Sequence, residues 1–316
     1  MLPARVIHAD WSANPRKRWM AEAILENDHY IASAPKHIRD AGLFMLTLIN
    51  ASRNGVLLGF DFPIGLPLSY ARKVGIESFL AALPQFGEGE WADFYNVAAT
   101  PDEISLKRPF YPAKAGGSKR AQLTSALGLD DLRRVCDRQT ADRKAAAELF
   151  WTMGAQQVGK AAINGWQELL APALRMPTMV HLAIWPFSGA FASLLQPGWI
   201  VACEAYPGEF YGHLGVKFPR KAGTRTGKRV QADRSANAPA LTSFAKKSGI
   251  TLDSDLKAAL KDGFGADSFG EDRFDSLVGL LGMLNVVLGQ RPPGEPPNRE
   301  IAQIEGWILG MNSDSA

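Results

Sequence analysis

Apolar positions come first in short β-rich runs and later in longer helical ones. ARVIHADW (4–11) is a compact β-rich run ending at Asp10. RWMAEAILEN (18–27) alternates weakly and predicts a second strand. DHYIASAP (28–35) predicts a third, reached through the turn-forming Asn27-Asp28. IRDAGLFMLTLINASRNG (38–55) changes to helical spacing through Ile38, Leu43, Leu46 and Ile49, with Gly55 placed as its C-cap. VLLGFDFP then returns to a continuous apolar run, suited to the interior of a sheet. The order β, β, β, α, β predicts an α/β protein with a mixed sheet.

Beyond Pro67 the pattern loosens. Residues 84–120 are rich in Gly, Pro and aromatics and read as an insertion of loops and short helices. LDDLRRVCDRQTADRKAAAELFWTMG (129–154) reads as a helix because Thr140 to Met153 lacks Gly and Pro and is rich in Ala. QQVGKAAINGWQELLAPAL (156–174) predicts another, interrupted by Gly159 and Gly165. VHLAIWPF (180–187) and WIVACEAYP (199–207) predict strands; 238–249, 252–263 and the strongly apolar 271–289 predict helices. RPPGEPP (291–297) reads as a linker before a short terminal element at 299–311. No internal repeat is present. The expected organisation is one domain over 1–316, with an insertion at about 68–155 and an extension at about 290–316.

Composition narrows the classes. The 316 residues are 46% hydrophobic, enough for a large core, and the net charge of +3 permits an anionic partner without requiring one. No stretch approaches the roughly 18 uninterrupted apolar residues of a membrane span, and MLPARVIHAD lacks the apolar region of a signal peptide. Cys136 and Cys203 are far apart and form no metal-ligand spacing, so a reducing cytoplasm is the expected compartment. The five His residues form no zinc motif.

The acidic residues carry the functional signal. Asp10 ends the first predicted strand, Asp61 the fourth and Glu204 a later one. Asp272 and Asp275 open the apolar helix at an i, i+3 spacing that puts both on one face. A carboxylate at the end of a buried strand is costly unless its charge is offset. Several together repel and raise each other's pKa. A hard divalent cation, Mg²⁺ or Mn²⁺, resolves both costs through carboxylate oxygens. Asp10, Asp61, Asp272 and Asp275 are therefore candidate metal ligands, and Asp10, Asp61, Glu204 and Asp275 candidate catalytic residues. Seven Lys or Arg residues lie between Lys217 and Arg234. Of these, Lys217, Arg225, Lys228 and Arg229 are candidates for substrate phosphates. Structural roles stand beside these: an Asx turn at Asp10, a tight turn at Asp61, an ion pair between Glu204 and an Arg of the basic loop, and helix-dipole charges at 272 and 275.

The blocks HADWS, GFDFPIGLP, CEAYPGEFY and DRFDSLVGLL resemble those of a mainly bacterial family described as predicted nucleases of ribonuclease H fold. The likeness runs from about residue 4 to residue 289; PIGLP is its most specific block. It implies a ribonuclease H-like mixed sheet and a divalent-metal-dependent hydrolase cutting phosphodiester bonds of nucleic acid or of a small phosphorylated substrate. Two other classes share the fold. A phosphotransferase or ATPase of the actin-like group would need a glycine-rich phosphate turn where this chain has Asp10-Trp11-Ser12, and the bulky Trp opposes close phosphate approach. A non-catalytic binding protein would keep the carboxylates without turnover.

Overall fold

The computed structural model describes residues 1–114, 116–140, 143–154, 158–218 and 226–312. The protein is α/β, with one mixed eight-stranded sheet flanked by helices. The strands are β1 (Arg5–Asp10), β2 (Trp19–Glu26), β3 (His29–Ala32), β4 (Lys36–His37), β5 (Val56–Phe60), β6 (Leu182–Ile184), β7 (Ile200–Glu204) and β8 (Thr251–Leu252). Their order is β6-β7-β5-β1-β2-β3-β8, with β4 also on β2. β1, β5, β7 and β6 run parallel to one another, and β2 is antiparallel to β1 and β3. β4 and β8 are two-residue edge pairings that the hydrophobic pattern does not signal.

The central strands β1, β5 and β7 are buried almost throughout, which is why β5 reads as an unbroken apolar run and β1 and β7 as mainly apolar ones. Side chains alternate between two cores. Val6, Leu57, Val201 and Cys203 join the core beneath the helix Gly270–Val287. Ile7, Ala9, Leu58, Phe60 and Ala202 join the other, under Ala41–Ala51 and the helical run 158–175. That run passes from α-helix (Val158–Gly165) through a π turn (Trp166–Leu170) to α-helix (Ala171–Arg175). Among the described residues no helix is long and apolar enough to cross a membrane.

One expected helix is absent. In 129–154 the described residues hold no α-helix, only the 3₁₀ turn Val135–Asp137 and a 3₁₀ residue at Gly154, and 141–142 lie outside the described residues. Backbone groups that a helix would use internally bond elsewhere: Tyr111 N–H donates to Phe150 O, Thr152 N–H to Tyr111 O and Ala146 N–H to Asp137 O. Alanine-rich propensity is a weak preference, and tertiary pairing overrides it.

The helix Gly270–Val287 lies close on β1 because small residues face the sheet. A Cβ on Gly279 would overlap the ring of His8, which is fully buried with Nε2 2.8 Å from Ala205 O. This contact sets the height of the helix, and so of Asp275 one turn earlier, above the end of β1. Gly279→Ala is expected to destabilise the fold by roughly 1–3 kcal/mol through overpacking. A urea titration checks this, and an unchanged midpoint would show that the helix has room to lift.

Candidate functional site

Register brings the first two carboxylates together. Ala9 of β1 pairs with Phe60 of β5, so Asp10 and Asp61 are the next neighbours beyond the parallel pairing. Neighbours in parallel register point the same way, here toward the Gly270–Val287 helix. That helix adds Asp272 in its first turn and Asp275 in its second. Asp10, Asp61, Glu271, Asp272 and Asp275 line one cleft of about 550 Å³, together with Trp11, Ser12, Asn14, Lys17, Lys160 and Lys228.

Asp10 is only 9% exposed, and no donor among the described residues reaches its carboxylate. Burial, and then the charges of Asp61, Asp275 and Asp272, push its pKa well above the usual 3.8. Asp61 Oδ1 accepts the Trp11 N–H at 2.7 Å. Burial nevertheless outweighs that bond and raises Asp61 to about 7, with Asp275 adding to the rise. Asp272 is raised to about 6, chiefly by burial, and among the described residues its Oδ2 is a buried oxygen without a partner. Asp275 is the best supported of the group: Tyr211 Oη donates to its Oδ1 at 2.5 Å, and the Lys228 ammonium pairs with its Oδ2.

Lys228 is the cluster's counter-ion. It also lies 3.2 Å from Glu271, whose other oxygen is 3.3 Å from Arg229. Burial opposes its charge, yet Asp275, Tyr211 and Glu271 hold its pKa well above the usual value. The expected phosphate contacts therefore divide. Lys228 and Arg229 are engaged with carboxylates, and Lys217 is exposed and does not line the cleft. Arg225 lies outside the described residues. Arg234, the last cation of that segment, is buried and donates to the carbonyls of Gly263, Lys228 and Gly265.

Glu204 does not join the cluster, which corrects the expectation that it lies with the other acids. It pairs in register with Phe60, one residue before Asp61, and so points to the opposite face of the sheet. There Arg134 takes both its oxygens at 2.7 and 2.8 Å, and Ile64 N–H donates to it at 2.9 Å. The partner is thus Arg134, also held by Asp137, and not an Arg of the basic loop. This buried pair holds the PIGLP turn, where Arg134 also donates to Ile64 O and Leu66 N–H donates to Ile304 O. Gly65, at φ +131°, lets that turn lie against the carbonyl of Glu305.

Lys17, Lys160 and Tyr211 were not singled out by sequence reasoning. Tyr211 sits in CEAYPGEFY, the block chosen for Glu204. Lys17 and Lys160 carry no local motif and reach the cleft only through the fold. Among the described residues no group of three or more His, Cys, Asp or Glu is placed to hold a metal ion. Comparison of the chain with protein-family models, curated proteins and solved structures gives no match.

Two outcomes follow from these environments. Between pH 4 and 7 the folded Asp61 binds more protons than the unfolded one, so apo stability should fall as pH rises through that window and level off above it. Asp61→Asn should flatten the slope in a series of thermal melts, whereas an unchanged slope would mean Asp61 titrates normally. Glu204→Ala should cost about 3–5 kcal/mol by stranding the Arg134 guanidinium. Denaturation with a parallel Mn²⁺ titration checks this: a stability loss below about 1 kcal/mol with loss of Mn²⁺ binding would return Glu204 to the site.

Proposed function

We propose that the protein is a divalent-metal-dependent hydrolase of phosphodiester bonds, a nuclease of ribonuclease H-like architecture. The observation that carries the reading is the convergence of Asp10, Asp61, Asp272 and Asp275 on one cleft at the ends of two adjacent parallel strands. The strand order, with β2 antiparallel between β1 and β3 and with β1, β5 and β7 parallel, supports the architecture, as does the likeness of the four sequence blocks to the predicted-nuclease family.

The chemistry of the donor set suits Mg²⁺ or Mn²⁺, although among the described residues no three acids stand in metal-holding geometry. All the candidate donors are hard carboxylate oxygens, and among the described residues Asp10 has no competing hydrogen-bond donor and Asp272 Oδ2 is a buried acceptor without a partner. Asp10, Asp61 and Asp275 would hold the ion, with Asp272 beside them. When bound it supplies Lewis acidity at the phosphoryl oxygen and a more acidic water. Tyr211 fixes the orientation of Asp275 through its hydroxyl, and Trp11 N–H does the same for Asp61. Lys228 offsets part of the negative charge through Glu271 and Asp275, a role a bound divalent ion would share. No side-chain nucleophile is required.

The Lys228 pairing also favours a second reading, a non-catalytic binding protein in which the lysine permanently engages Glu271 and Asp275 of the acidic cleft.

A cleavage panel of single-stranded, duplex, junction and hybrid nucleic acids with Mg²⁺ or Mn²⁺ separates the two. Wild type should cut at least one substrate, and Asp10→Asn should retain less than about one-hundredth of that rate while sparing much of the binding. Mn²⁺ should raise the melting temperature of wild type and not of Asp61→Asn. Absence of both cleavage and the melting shift in wild type would leave the binding-protein reading.

A further inference from the structure

An acidic cleft that handles an anionic substrate needs cations not already spent on its own carboxylates. The described cations of 217–234 do not supply them, because Lys228, Arg229 and Arg234 are committed to partners and Lys217 lies away from the cleft. Lys160 differs. It lines the same cleft as five carboxylates, yet no carboxylate among the described residues lies within ion-pair distance of its ammonium. Its one described polar partner is Met153 Sδ, at 3.7 Å, a weak acceptor. A part-buried ammonium with so little compensation is a site for an incoming anion.

Its mounting is rigid. A Cβ on Gly159, the preceding residue, would lie 2.5 Å from Leu149 O and 3.0 Å from Trp151 O, so the helix start is seated against that segment. Six residues on, Gly165 packs on the Phe62 ring, and Trp166 Nε1 donates to Pro63 O at 2.9 Å. Both contacts fall next to Asp61. Arg18 closes the third side. It makes a two-pronged pair with Glu168 at 2.6 and 3.0 Å and donates to Ser12 O, tying the cleft-lining segment after β1 to the same helical run. The interrupting glycines of 156–174 thus fix Lys160 relative to Asp10 and Asp61.

We propose that Lys160, on the lining of the same cleft, is the residue that binds the non-bridging oxygens of the substrate phosphate, in place of the basic loop. This rests on the reading of the cleft as a phosphodiester site. Lys17 is exposed and also lines the cleft.

The test compares wild type with Lys160→Ala, Lys160→Arg, Lys217→Ala and, as a remote control, Lys246→Ala. It follows Mn²⁺-dependent hydrolysis of bis(p-nitrophenyl) phosphate, anisotropy with fluorescein-labelled dT8, and the Mn²⁺ melting shift. Lys160→Ala should raise KM and weaken dT8 binding by about tenfold, the loss of one charge-assisted contact. It should keep the full Mn²⁺ shift, because it holds the anion and not the metal. Lys160→Arg should stay within about threefold of wild type, since the positive charge is kept. Lys246→Ala should match wild type. Unchanged KM and affinity in Lys160→Ala would overturn the inference alone, as would an equal loss in Lys217→Ala, which returns the phosphate to the basic loop. A wild type that neither hydrolyses the diester nor binds dT8 would overturn it together with the reading beneath it.

Discussion

The parallel pairing of Ala9 with Phe60 is the constraint on which the site depends. It sets two carboxylates side by side at the open end of the sheet, on the face covered by the Gly270–Val287 helix. Because side chains alternate along a strand, the same register sends Phe60 and Glu204 to the other face. A slip of one residue would bury Asp10 or Asp61 among Trp11, Phe44 and Phe62 and expose apolar groups to the cleft. The two apolar cores, one on each face, hold the register against such a slip.

The charges divide along the same plane. On one face, five carboxylates meet a single committed lysine, Lys228, and the excess negative charge appears as raised pKa values at Asp10, Asp61 and Asp272. On the other, Arg134 meets Asp137 and Glu204 with its hydrogen bonds satisfied, which makes a joint and not a reactive site. Strongly perturbed, incompletely paired acids in a cleft point to function, and saturated ion networks point to structure. The PIGLP turn lies between the two, with its start beside Asp61 and its remainder fastened by Arg134 and the segment around Glu305.

The walls of the cleft come from segments far apart in the chain. The π turn at Trp166–Leu170 carries Trp166 to Pro63 O and Glu168 to Arg18, so one helical run braces both strand ends. Such turns frequently occur near functional sites because they redirect side chains without ending the helix.

Local pattern determined much by itself. The apolar runs ending at Asp10 and Asp61, the weakly alternating β2, the turn at Asn27-Asp28 and the acidic start of the last long helix are all local, and a strand or helix period is written in neighbouring residues. Those signals placed Asp10, Asp61, Asp272 and Asp275 at element ends. Tertiary structure decided the rest. Which face Glu204 takes depends on its pairing with Phe60 of a strand remote in the chain, and its partner Arg134 lies in a stretch whose composition favoured a helix. Lys228 moved from candidate phosphate contact to counter-ion because of where its ammonium falls, and Lys160 became notable only once it was seen near carboxylates it does not touch. Faces, partners and free charges are properties of distance between remote residues, and a linear pattern carries only the distances within one element.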